Sequence, residues 1–203
     1  MVDGPCRARC LALAGCALLI PGLVSASTLT VLVDYDRPAA PATVKALESE
    51  LASIMAASEI RVSLKNRAEL ADHEQFENVV LFHMRGTCSM KAMPVGALSD
   101  ERGPLAMTYS VNGELLPFGE VQCDRVRASV RRTVGLSDPE AHEPEFGVAL
   151  ARVMAHEVYH MVAHTADHSH AGVAKAALSS RELTGKRLDL DPAAKSAIQT
   201  PPQ

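Results

Sequence analysis

Residues 145–163 read Glu-Phe-Gly-Val-Ala-Leu-Ala-Arg-Val-Met-Ala-His-Glu-Val-Tyr-His-Met-Val-Ala, and the rest of the chain is best read outward from them. No proline interrupts the stretch, and Phe146, Val148, Leu150, Val153, Met154, Val158, Met161 and Val162 leave almost no side of a helix without an apolar residue. A helix that is apolar all round has to be buried, so the spacing predicts a central helix from Glu145 to about Ala163. Set into it are His156, Glu157 and His160, the fixed positions of an H-E-x-x-H pattern.

The chemistry of that pattern follows from helix geometry. Residues four apart share a face with Cα atoms about 6 Å apart along the axis, so the imidazoles of His156 and His160 can converge on one Zn²⁺ at about 2.0 to 2.1 Å. Glu157 is rotated by about 100° from His156, which aims its carboxylate at a water in the metal's open position. There it serves as general base. With 8 His in 203 residues, a random chain of this composition would contain the pattern with a probability of about 2%. Context strengthens it, because two His and one Glu on an apolar helix are costly to bury without a metal or close partners.

A catalytic zinc requires a third protein ligand. His164, Asp167, His168, His170 and Glu182 follow the pattern. His164 continues the i+4 series, but in an unbroken helix its Cα lies about 9 Å along the axis from the metal, beyond the reach of an imidazole. If the helix ends between Ala163 and Thr165, the chain can turn back and deliver His168, with Asp167 and His170 as alternatives from the same turn. Ser179-Ser180-Arg181-Glu182 also reads as the capping box of a helix start, which gives Glu182 another role. The metal set expected is therefore His156, His160 and His168.

Upstream, Thr28 to Asp34 reads as a strand and Pro38 to Ala57 as a helix with Val44, Leu47, Leu51, Ile54 and Met55 on one side. Ile60 to Leu64 and Asn78 to Met84 read as two more strands. Residues 85–104, with three Gly and two Pro, form a long loop. Leu105 to Val111 and Leu115 to Val121 flank Asn112-Gly113, a strong hairpin signal. A short basic helix is expected from Asp124 to Val134. Asp191 to Gln203 lacks periodicity and is expected to be a mobile tail.

At the other end, Arg7 and Arg9 precede an apolar run from Cys10 to Val24 that closes on Ser25, Ala26 and Ser27, the layout of a cleaved signal peptide over residues 1–26. The run is short for a membrane span and Pro21-Gly22 interrupts it. Leu13-Ala14-Gly15-Cys16 resembles a lipobox, but the apolar run continues past Cys16. The mature chain is thus expected to be secreted or periplasmic, without a stable membrane span. About 177 residues then remain, which suits one domain spanning 27–190 and the tail. Losing Arg7, Arg9 and Asp3 takes the net charge from −4 to −5. With no basic block, 3% aromatic residues and no Trp, nucleic-acid binding is argued against. No signal for an oligomeric state is present. Export removes Cys6, Cys10 and Cys16 and leaves Cys88 and Cys123, an even pair in an oxidising compartment. A disulfide is expected, the alternative being two separate buried thiols.

At His156-Glu157-Val158-Tyr159-His160, with a hairpin strand just upstream, the chain resembles the zincin metallopeptidase superfamily. Within it the chain is similar to the metzincins and to short secreted bacterial proteins of this type. The resemblance implies an α+β fold: a mixed twisted sheet with a long N-terminal helix, an antiparallel edge hairpin on which an extended peptide lies, and a central buried zinc-binding helix. Ala163 and Ala166 stand where metzincins have Gly and the third His, and no Met follows Met161. The function expected is hydrolysis of a peptide or protein substrate by a zinc endopeptidase. A non-catalytic binding module with a structural zinc is the alternative, and it requires a fourth protein ligand to close the shell.

Overall fold

The computed structural model of the protein describes residues 27–91, 103–135 and 137–200, together with Met1. The remainder of the expected signal peptide, and residues 92–102 of the expected loop, lie outside the described residues. The elements run β1 (Ser27–Tyr35), α1 (Pro41–Ala56), β2 (Ile60–Asn66), β3 (Val79–Arg85), β4 (Ala106–Val111), β5 (Glu114–Gln122), α2 (Cys123–Val134), α3 (Glu143–Ala163), α4 (Ser180–Thr184) and α5 (Pro192–Gln199).

The strands form one mixed sheet in the order β2-β1-β3-β5-β4. β2, β1, β3 and β5 run parallel to one another, and β4 pairs antiparallel with β5 at the edge. The architecture is thus mixed α/β, compatible with the α+β class expected. β4 and β5 meet at Asn112 and Gly113, whose φ values of 53° and 85° are the pair of positive angles that a two-residue hairpin turn demands. Pro41, whose fixed φ suits a first helical turn, opens α1.

Alternation along the strands decides which face is covered. Leu29, Val31 and Val33 of β1 and Val80, Phe82 and Met84 of β3 are buried, and α3 packs over this side of the sheet beside α1. On the other face Val79, Met107, Tyr109, Val111 and Phe118 remain exposed. α3 is central as expected, with both its faces in the core over most of its length. It lies close to the sheet because β5 carries Gly119 beneath it: a Cβ there would meet Met161 Cε and Phe82 Cε1 at 2.8 Å.

Cys88, just after β3, is joined to Cys123, the first residue of α2, by a disulfide, as expected from the even pair. In the loop-entropy model this cross-link contributes roughly 3 to 4 kcal/mol. The chain end differs from expectation. Pro192–Gln199 is a helix rather than an aperiodic tail: Asp191 caps it through Ala194 N–H at 2.8 Å, and Ala194 and Ile198 are buried in its contact with α3. Two apolar residues four apart in an eight-residue helix make too short a pattern to stand out against Pro and Ala neighbours. Among the described residues no helix is long and apolar enough to cross a membrane.

Candidate metal centre

α3 stops at Ala163 because His164 takes a left-handed conformation, φ 48° and ψ 40°, and its N–H donates to His160 O. Thr165 N–H donates to the same carbonyl at 3.3 Å. The chain then doubles back, as the His168 reading requires. The returning segment is pinned: Ser169 N–H donates to Ala174 O at 2.9 Å, and Val173 N–H to Asp189 O at 3.0 Å. Gly172, with φ +69°, permits this close approach, since a Cβ there would lie 2.3 Å from Asp189 O.

His156, His160 and His168 are brought together, each offering a ring nitrogen within 4.8 Å of the others. The His168 ring stacks on that of His156 at 5.2 Å and stands edge-on to that of His160 at 4.8 Å. Two of the three are held from behind. His156 Nδ1–H donates to Val173 O at 2.9 Å, and His160 Nδ1–H to Thr165 O at 2.7 Å. A proton on Nδ1 of a neutral imidazole leaves Nε2 as a bare lone pair. Yet the two Nε2 atoms face each other at 3.0 Å. Burial lowers the pKa of both rings, against the bonds to Val173 and Thr165, which favour the charged forms. Two neutral rings would thus oppose lone pair to lone pair.

A cation shared between the two nitrogens would resolve that opposition. In a tetrahedral zinc site two nitrogens at about 2.05 Å from the metal are about 3.3 Å apart, close to the separation found here. His168 is exposed on its loop and has room to complete the set. Orientation of His156 and His160 by the carbonyls behind them is the support that metal-ligating imidazoles characteristically have. The donor set fits zinc.

Glu157 is outside this group. The residue is 6% exposed, and burial raises the pKa of its carboxyl. Thr108 of β4 opposes that shift by donating its hydroxyl to Oε2 at 2.7 Å. A cavity of about 260 Å³ adjoins it, walled by His156 and Val153, by Leu105 and Ala106 entering β4, and by the segment 175–178. The site therefore joins three imidazoles, a buried carboxylate, a sheet edge and a cavity.

The other sequence candidates lie elsewhere. His164 and His170 are exposed and, like Asp167, do not join the group. Glu182 closes the expected capping box: Ser179 N–H donates to its Oε2 at 2.9 Å while Glu182 N–H donates to Ser179 Oγ. Lys175 also donates to its Oε1 at 2.5 Å. Tyr109 faces the opposite side of β4 from Thr108 and donates its hydroxyl to Glu120 at 3.0 Å. Thr108 and the two carbonyls of Thr165 and Val173 were not foreseen. Nothing in periodicity or spacing marks them, because their role comes from contacts distant in sequence or carried by the backbone. No family model, curated protein or solved structure matches this chain.

Proposed function

We propose that this protein is an exported zinc-dependent endopeptidase of the zincin type. The observation that carries the reading is the pair of carbonyl-held imidazoles of His156 and His160 facing each other beside the buried carboxylate of Glu157. His156, His160 and His168 hold the metal. Bound there, zinc supplies a Lewis acid that polarises the scissile carbonyl and lowers the pKa of water.

The chain's own residues do the rest. β4 is the sheet edge next to Glu157, and an extended peptide adds to it near Leu105 to Tyr109 by main-chain hydrogen bonds. One of its side chains enters the cavity beside Glu157. Glu157, raised in pKa by burial, takes a proton from the attacking water and passes it to the leaving amine. Among the described residues no further His, Cys, Asp or Glu joins the three histidines to close the shell that a non-catalytic binding module needs.

A zinc titration and a peptide-library cleavage assay on the wild type and Glu157→Gln test the reading. The expected result is one zinc per chain in both proteins and cleavage by the wild type alone. Absence of bound zinc after incubation at neutral pH, or equal cleavage by both proteins, overturns it.

A further inference from the structure

The Thr108 hydroxyl reaches from the sheet edge into the site, donating to Glu157 Oε2 at 2.7 Å, with the Glu157 main-chain carbonyl a more distant acceptor at 3.5 Å. Three features of the fold create this contact. Side chains alternate along a strand, so Thr108 faces α3 while Met107 and Tyr109, both exposed, face away. Across the ladder Thr108 pairs with Gly119, the residue whose missing Cβ lets α3 approach the sheet. Finally, the β4–β5 register shifts between Thr108 and Ser110, an irregularity of the kind that re-aims a side chain. Among the described residues Thr108 is the one side chain bonded to this carboxylate, and Oε1 has no partner.

We propose that Thr108 is a positioning residue for Glu157: by occupying Oε2 its hydroxyl sets the orientation of the carboxylate and leaves Oε1 as the oxygen that takes the proton of the attacking water. The inference rests on the hydrolase reading above. It also joins the strand that receives the peptide to the group that activates the water, so any displacement of β4 carries the base with it. A carboxylate held by one oxygen in a low-dielectric site has a single orientation to offer, and misorientation of a reacting group is expensive in rate.

Thr108→Val keeps the shape and removes the donor, Thr108→Ala is a second donor-free variant, and Thr108→Ser restores the donor. Two readouts are needed. The first is kcat and KM on a cleaved peptide, with zinc affinity measured alongside. The second is the infrared carboxylate stretch of Glu157, isolated as the difference between each protein and its Glu157→Gln counterpart, with and without zinc. The donor-free variants are expected to lower kcat by about 10- to 100-fold, as for loss of one hydrogen bond to a charged group, with KM and zinc affinity unchanged. They should also shift the carboxylate band, and Thr108→Ser should restore both. A band that does not move in either donor-free variant overturns the proposal, as does a retained kcat when Glu157→Gln is inactive. If the wild type and Glu157→Gln are alike inactive, the hydrolase reading itself has failed and the positioning role falls with it.

Discussion

The two ends of α3 both bury charged or polar side chains, and they treat them differently. At the N-terminal end Glu143, 3% exposed, receives the hydroxyls of Thr43 and Ser89 at 2.5 and 2.6 Å and Met90 N–H at 2.9 Å. One turn before the histidines Arg152, 2% exposed, donates to Glu50 at 2.8 Å and to the carbonyls of Glu182 and Gly185 at 2.6 and 3.2 Å. Each of these bonds reaches outside α3, and the Glu143 carboxylate and Arg152 guanidinium are well supplied, although His142 Nδ1 and Glu145 Oε2 beside Glu143 are buried without a hydrogen-bond partner among the described residues. At the C-terminal end two imidazole lone pairs face each other and Glu157 Oε1 has no partner among the described residues. Glu143 and Arg152, satisfied by protein, hold the fold together, whereas what marks the other end as a site is convergence: two carbonyl-held imidazole nitrogens aimed at one point, with a third imidazole and a carboxylate beside them.

The contrast can be broken by substitution. The largest effect is expected at Glu157, where Gln should lower hydrolysis by about 10²- to 10⁴-fold while zinc content persists, read by cleavage kinetics and elemental analysis. Arg152→Ala should do the reverse. It strips a buried cation from Glu50 and two carbonyls, so denaturant unfolding should show a loss of about 3 to 5 kcal/mol, with one zinc still bound in the folded protein. A catalytic defect without loss of stability in that variant would erase the distinction between the two ends.

His168→Ala sharpens the comparison within the site. Removing a direct ligand should weaken zinc by more than the about 10- to 100-fold that follows loss of an outer hydrogen-bond partner, measured by competition with a chelator. His164→Ala and His170→Ala should leave the affinity as it is. The smallest effect belongs to the capping box of α4. Ser179→Ala should cost about 1 kcal/mol by chemical unfolding. Glu182 is held at a pKa of about 2, first by Lys175 and then by Ser179. A carboxylate depressed in the fold stabilises it above the unfolded value of 4.5, and that contribution fades as pH falls towards 2. The stability gap between wild type and Glu182→Gln should therefore close on acidification, with no change in zinc binding at neutral pH.

Much of this architecture is legible in the linear sequence. The apolar spacing of residues 145–163 made α3 central, Asn112-Gly113 made the hairpin, and the even pair Cys88 and Cys123 made the cross-link. The i,i+4 spacing put His156 and His160 on one face, and the need for a helix end near residue 164 singled out His168. These are local properties, or consequences of one helix period, and a linear chain displays them directly. Tertiary structure alone decided the rest: that His164 would turn left-handed and bring His168 back, that Val173 and Thr165 would orient the imidazoles, that Gly119 would admit α3 to the sheet and Thr108 to Glu157, and that the last residues would fold as α5. Each depends on groups far apart in the chain or on backbone atoms common to every residue. Such atoms carry no sequence signature, and only packing determines which of them meet.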